Sequence, residues 1–550
     1  MAQRTIFSSE LFLFSLILLL ALVLRFADLG TAPLTEFEAQ AALPAHALAN
    51  GETTELGDQP AYVQLTSPAF SLFGSSEFVA RLLPAIFGLA LVALPYFWRD
   101  LLGQKVALVL SFSLALDPGM VAVSRLASGH IIAISAGLIA MTAWRYSRPI
   151  AAGIFTSIAL LASPIIFFGV VPALLVWLTL QPEQRSSSNH LRLFLYAIVL
   201  TLVLGGTWLL RAPEGLEGLG STVTSFFHGF TQPGTPVTEI SLALLAYTLP
   251  AVVFGVVGAV NAWRRNQSIG KVVSLFVLFS LLLVLVYPGR QVADLLWVVV
   301  ALWVLAAIQV AGYVSVPRQD LNVALGETGL MLILGIFFGI ALSKLAANYT
   351  DFVFVAIATF VMAIIATVLI AFGWSRTGAE HGFVWALILF SALFMLSASS
   401  RFLRVEATDA SDLWSPGPAA NSSRVLAESL RDLSVLDRGQ VNELAVDLRT
   451  DSPAIAWEVR NLLPAESGAD ALPPLIITAA DAQGEEFAAY RGQSIAARVQ
   501  RAWQGWPPNF FAWLFYRQAP TQIEQIILWA RVDLFLDAQA LSEPAPETNP

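Results

Sequence analysis

The chain has no cysteine in 550 residues, so disulfides, thiolate nucleophiles and cysteine-based zinc sites are excluded. Histidine is nearly as scarce. His46, His130, His190, His228 and His381 lie far apart without HxxH or HExxH spacing, so no metal site follows from pattern. Charged residues make up only 13%. No P-loop or GxGxxG fingerprint is present, which disfavours an ATP-driven pump, and no convincing inverted repeat points to a secondary transporter.

Apolar sequence fills the space that charge leaves: 57% hydrophobic residues and a mean hydropathy of +0.70 do not describe a soluble globule of this length. The expectation is a mainly α, polytopic membrane protein. Runs of about 17 to 22 apolar residues, each able to cross a hydrocarbon core of roughly 30 Å, continue to about Ala398. Spans are expected near 11–26, 78–98, 106–124, 128–146, 150–162, 165–180, 193–210, 241–262, 271–287, 293–313, 325–343, 352–373 and 382–398, about 13 in all. Asp117-Pro118-Gly119 and Ser163-Pro164 interrupt the third and fifth, which read as re-entrant or tilted. The first run lacks a cleavage signal, with only Arg4 ahead of it and Arg25-Phe26-Ala27-Asp28 behind.

Cytoplasmic loops carry the excess of Lys and Arg. An inside N-terminus gives the inner side 12 basic residues, Arg4, Arg99, Lys105, Arg145, Arg148, Arg185, Arg192, Arg264, Arg265, Lys271, Arg318 and Arg376, against six outside. Those six are Arg25, Arg81, Arg125, Arg211, Arg290 and Lys344. An odd number of spans then puts the C-terminal tail outside, on the same face as the loops 27–77 and 211–240.

The expected division is a membrane domain 1–400 with the outer loop 27–77, a linker 401–424 marked by SDLWSPGPAANSS, a small extracytoplasmic α/β domain 425–540 and a disordered tail 541–550. Helical spacing runs from Arg424 to Ser434, strand alternation from Glu443 to Leu448, a Ser-Pro helix start from Ser452 to Leu463, and strand runs at Leu475 to Thr478 and Ile526 to Leu536. From Arg401 onward 12 Arg face 20 Asp and Glu, a net charge of −8 that argues against a nucleic-acid partner. Trp503, Trp506, Phe510, Phe511, Trp513, Phe515 and Tyr516 form an aromatic cluster, read as domain core, as a surface docked on the bilayer or the bundle, or as a sugar platform.

Charges collect near the expected outer ends: Arg25, Asp28, Glu36, Glu38, Arg81, Asp117, Arg125, Arg290 and Asp294. A shared outer cavity explains that clustering better than scattered packing pairs. Several readings stay open for these residues. Glu36 and Glu38 fit a solvated loop face or a helix N-terminus as well as a site, and Asp117 suits an ion pair with Arg125. Arg290 and Asp294, one turn apart, suit phosphate binding or a capping salt bridge.

The order of LRFADLGTAPLTEFEA, SLFGSSEFVARLLPAIFGLALVALPYFW, VAVSRLASGH and, more loosely, YPGRQVADLLWVVVALWVLAA resembles the GT-C superfamily of membrane glycosyltransferases. The resemblance is to its protein O-mannosyltransferase and aminoarabinose transferase branch, glycosyltransferase family 39-like, and covers residues 20 to 146 best. It implies transfer of a sugar from a polyprenyl-phosphate carrier to a protein, lipid or glycan acceptor at the extracytoplasmic face. It implies no certain cofactor beyond that donor, and leaves a divalent metal open.

By the same resemblance, Glu36 and Glu38 are the candidate catalytic carboxylates, and Arg81, Arg125, His130, Arg290 and Asp294 the candidate substrate- and phosphate-binding residues. Aligning PLTEFEA on the family's PLWxDEA puts Phe37 at the catalytic aspartate and Glu38 on the glutamate. His130 stands where the mannosyltransferases have Asp. Arg125 matches the "SR" motif, Arg290 the "R-Y-L-L-P" element and Arg81 the second-helix arginine, where packing at the interface is the expected role. The altered loop leaves an alternative, a catalytically degenerate GT-C scaffold that serves as a lipid-binding or structural subunit of a membrane complex.

Overall fold

Apolar runs become helices here because a segment in hydrocarbon must satisfy its own backbone N–H and C=O groups. The computed structural model describes residues 9–180, 188–207, 215–403, 411–414, 423–464, 472–482 and 484–535. Arg4, Arg185 and Arg211, most of the expected linker and the 541–550 tail lie outside the described residues.

Helix α1 (Ser9–Phe26) is followed at one end of the bundle by two short helices, α2 (Glu36–Ala49) and α3 (Pro60–Phe73). Next come α4 (Glu77–Phe97), the single turn α5 (Arg99–Leu102) and α6 (Gln104–Leu116). Pro118 cannot extend α6, so the chain bends by 60° at Asp117 into α7 (Pro118–Ser124). After α8 (His130–Arg145) and α9 (Pro149–Ala162), Ser163-Pro164 turns the chain by 119° into α10 (Phe167–Leu180). The bundle continues with α11 (Ser188–Gly206), α12 (Gly215–His228), α13 (Val237–Arg264), α14 (Ser268–Val286), α15 (Leu296–Ala311), α16 (Leu321–Ala346), α17 (Phe352–Gly373) and α18 (Arg376–Arg401).

Among the described residues nine helices are long and apolar enough to cross a membrane, or eleven spans if each bent pair counts as one. The expected thirteen counted both arms of the 119° pair and also α8, which has 16 residues. A straight crossing takes about 20. The innermost helix is α15, buried around most of its circumference, and Gly255 and Gly258 of α13 let the two backbones approach closely at Leu302 and Leu305.

The C-terminal domain is α/β, as its sequence pattern suggests. Helix α19 (Ser423–Arg438) precedes β1 (Ala445–Arg449), α20 (Pro453–Val459), β2 (Leu463–Pro464), β3 (Leu475–Ala479), β4 (Tyr490–Arg501), α21 (Phe510–Tyr516) and β5 (Thr521–Arg531). The sheet order is β2-β1-β3-β5-β4, parallel among the first three and antiparallel across β5. Leu426 and Leu430 of α19 cover its buried face with Val446, Ile477 and Leu528. The β4 strand lay outside the expected elements because its sequence, YRGQSIAARVQR, puts charge on an exposed edge.

This domain sits on the end of the bundle that carries α2 and α3. Glu239 at the start of α13 accepts from Arg501 (2.8 Å) and from the Gly505 amide (3.0 Å), and Tyr247 donates to Asp412 (2.7 Å). Residues 411–414, expected as linker, are buried in the bundle: Trp414 lies against Gly119, and the Trp513 indole donates to the Ser411 carbonyl at 2.8 Å. The aromatic cluster thus divides, with Trp503 and Trp513 packed against the bundle and Trp506, Phe511 and Tyr516 exposed.

Candidate functional site

The loop after α1 enters α2 through a capping box. Thr35 Oγ1 accepts the Glu38 amide (3.2 Å), and Glu38 Oε2 accepts the Thr35 amide (3.0 Å). Because α2 begins at Glu36, the two glutamates stand roughly 200° apart around the helix. One turns inward and the other turns toward the C-terminal domain.

Glu38 is fully buried and receives four donors: Arg81 Nε at 2.7 Å and Nη2 at 2.9 Å, the Ala127 amide at 2.8 Å and the Thr35 amide. Burial alone would raise its pKa. The Arg81 guanidinium and the donated hydrogen bonds outweigh that and hold the carboxyl below the usual glutamate value. Arg81 spends its remaining N–H groups on the carbonyls of Leu29 (3.1 Å), Ala32 (2.7 Å) and Pro33 (3.0 Å). The pair therefore fastens the loop 29–38 to α4.

Glu36 is half-buried and accepts from Ser452 Oγ (2.5 Å) and the Ala454 amide (3.1 Å), at the start of α20. Arg125 closes the end of α1 by donating to the carbonyls of Arg25 (3.2 Å), Ala27 (2.8 Å) and Asp28 (3.3 Å). Asp117 makes no pair with it. Its carboxylate caps α7 through the Met120 amide (2.9 Å) and accepts the Trp303 indole (2.8 Å).

His130 opens α8, beside the Ala127 amide that Glu38 holds. Its ring meets Phe37 edge-on at 5.2 Å, its Nδ1 is buried, and it has no hydrogen-bond partner among the described residues. Ser128 Oγ, fully buried two residues earlier, also lacks one. Gln59, at the start of α3, accepts the Gly129 amide at 2.7 Å and so ties α3 to the start of α8. Gln59 and Ser128 were not among the residues singled out from the sequence, whereas Phe37 was.

Arg290 lies elsewhere in bonding terms. It donates to the carbonyls of Thr235 (3.0 Å), Leu285 (3.0 Å) and Tyr287 (2.7 Å), and its Nη2 has no partner among the described residues. Asp294 accepts the Gln291 amide (2.8 Å) in a second capping box and forms no ion pair with Arg290. Thus Glu38, Arg81, Arg125, His130 and Phe37 converge, while Glu36, Arg290 and Asp294 serve other junctions. Toward the hydrocarbon, an apolar cavity of about 950 Å³ opens between α1, α6, α15, α16 and α18, lined by residues that include Leu20, Phe112, Trp303 and Met395.

No protein-family model matches this chain, and no curated protein matches it by sequence. The solved structures do. The chain is similar to ArnT from Cupriavidus metallidurans bound to undecaprenyl phosphate, with a TM-score of 0.57 and 13% identity over 94% of this chain and 98% of that one. The apo state of the same ArnT gives a TM-score of 0.56 and 15% identity with the same coverage. The molecule has a GT-C-like fold, with a multi-pass membrane bundle and a small C-terminal sheet domain.

Proposed function

We propose that this chain is a membrane glycosyltransferase that moves a sugar from a polyprenyl-phosphate carrier to an acceptor hydroxyl at the extracytoplasmic face. Its reacting centre lies between Phe37, Gln59, Ser128 and His130. One observation carries this reading: two buried polar groups, Ser128 Oγ and His130 Nδ1, have no partner among the described residues at the start of α8. Buried polar groups are normally paired, and a helix N-terminus favours an anion such as a phosphate. The fold shared with ArnT, crystallised with undecaprenyl phosphate, supports that class of carrier. The apolar cavity of about 950 Å³ offers room for part of its chain.

In the transfer, the acceptor oxygen bonds to the anomeric carbon as the carbon–oxygen bond to the carrier phosphate breaks, and polyprenyl phosphate leaves. The acceptor proton passes to a base. His130 takes that part, because the Glu38 oxygens are filled by donors from Arg81, Thr35 and Ala127 and Glu36 is bound to Ser452 and the Ala454 amide, whereas His130 Nδ1 has no partner among the described residues. Glu38, Arg81 and Arg125 position the loop. Arg290, whose Nη2 has no partner among the described residues, can add a contact to an anionic group.

The engagement of both glutamates also favours a second reading, a GT-C scaffold that binds the carrier without transfer as part of a membrane complex. Labelled undecaprenyl-phosphate sugar, offered to the protein in nanodiscs with candidate acceptors, separates the two. Transfer by wild type that His130→Ala abolishes and Glu36→Gln retains is the expected result. Carrier binding without transfer supports the scaffold, and loss of both binding and transfer overturns both readings.

A further inference from the structure

We infer that the aromatic segment around α21 is a membrane-surface anchor, which seats the C-terminal domain in the lipid headgroup layer beside α16 and α17. The inference does not depend on the transfer chemistry.

The sequence sets this segment apart. From Ala502 to Tyr516 it contains no charged residue, although Arg501 and Arg517 bound it and the surrounding domain is strongly charged. Part of its aromatic surface is already accounted for. Trp503 and Trp513 are 8% and 0% exposed, packed toward Tyr247 and the bundle, and Arg517 lies over the rings of Tyr247 (4.2 Å) and Trp513 (4.4 Å). Phe510 and Phe515 are half-buried, and three rings face outward: Trp506 is 60% exposed, Phe511 39% and Tyr516 48%. Aromatic rings with a polar edge favour the boundary between hydrocarbon and water.

Two contacts fix the height of this face. The Tyr516 hydroxyl meets Ser343 Oγ at 2.6 Å, in the last turn of α16, and Asn509 donates to Asn348 at 3.2 Å, just beyond that helix. The membrane-crossing segment Arg318–Ala346 has 29 residues. At roughly 1.5 Å per residue it exceeds the roughly 30 Å hydrocarbon core, so its final turn lies at headgroup level. Tyr349, 58% exposed and 5.5 Å under the Lys344 ammonium, continues the same belt onto the connection to α17. A face of uncharged aromatic residues at this level, bordered by lysine, fits a lipid surface.

The cysteine-free sequence supplies a direct test, since a single introduced cysteine carries the only spin label. Trp506→Cys, Pro508→Cys and Phe511→Cys are labelled in proteoliposomes, with Leu436→Cys, 62% exposed at the C-terminal end of α19, as the aqueous reference and Phe360→Cys within α17 as the lipid reference. Power-saturation EPR compares relaxation by lipid-soluble oxygen with that by a water-soluble nickel chelate. The expected result is an oxygen-to-nickel ratio at 506 and 511 several-fold above that at 436 and approaching that at 360. Ratios at 506, 508 and 511 that all equal the ratio at 436 overturn the anchor. The Pro508 label, on an exposed turn, keeps the test available if replacing an aromatic ring disturbs folding.

Discussion

Glu36 receives the Ser452 hydroxyl at 2.5 Å and the Ala454 amide at 3.1 Å, so the first residue of α2 caps a helix in the C-terminal domain. The carboxylate does for α20 what a local aspartate usually does, and ties two distant parts of the chain together. Its oxygens are thereby committed to docking.

Removing this carboxylate should loosen the domain rather than the bundle. Hydrogen bonds to a charged group contribute about 1.5–3 kcal/mol, so Glu36→Ala should raise hydrogen exchange across 453–459 by at least about tenfold. Ser452→Ala breaks the same junction and also loses its own cap on the Ile455 amide, so the double variant should exceed either single change but fall short of their sum. Fully additive effects, or no change in exchange, would exclude the clasp.

The Glu38–Arg81 pair is the stronger support of the loop. Its two residues are 0% and 5% exposed. Truncating one partner of a buried pair leaves the other charge uncompensated, at about 3–5 kcal/mol. Arg81→Ala should therefore lower the thermal midpoint of the purified protein by several degrees, and Arg81→Lys should not restore it, because lysine lacks the fork that reaches Glu38 and three carbonyls together. A midpoint unchanged in both variants would refute this account.

Much of the bundle was legible because its signals are local. Asp117-Pro118 and Ser163-Pro164 break helices where they stand, and the apolar periods of α13 to α18 lie close to their structural bounds. The Glu38 role was half legible, since Thr35-x-x-Glu38 is a capping box, but its Arg81 partner lies 43 residues away. The Glu36 role was not, because Ser452 is 416 residues distant and nothing in PLTEFEA refers to it. Helix geometry then decided the outcome: residues i and i+2 of α2 diverge, whereas an extended loop would have kept them on one side.

Gly129 gives a packing test of the α8–α9 approach. A Cβ there would overlap the Ala162 carbonyl, which is backbone at the end of α9 and cannot yield as a side chain can. Gly129→Ala should separate α8 from α9, reduce the monodisperse fraction on size exclusion and lower the thermal midpoint. Gly205→Ala, with open space around its Cβ position, is the matched control. Equal behaviour of the two variants would show that the α8–α9 approach is looser than described.

Acidity should govern how firmly the C-terminal domain is docked. Burial first, and the neighbouring Glu77 second, push the Glu458 pKa up to about 7, against opposing effects of Arg460 and Arg424. The folded protein therefore holds this proton where the unfolded chain, with a carboxyl near 4.5, has lost it. The stability contribution is fully present below about 4.5 and is lost as pH rises through about 7. Solvent reaches the half-buried side chain, so the effect is on the order of 1 kcal/mol rather than the full value of the shift. His46, edge-on to Trp457, works in the opposite direction, since burial and Arg460 lower its pKa and favour the neutral form. Hydrogen exchange across 453–459 should accordingly rise from pH 5 to pH 8, after correction for the intrinsic rate, and Glu458→Gln should flatten that rise while His46→Gln steepens it. Exchange that keeps the same corrected pH dependence in Glu458→Gln would assign the effect to another group.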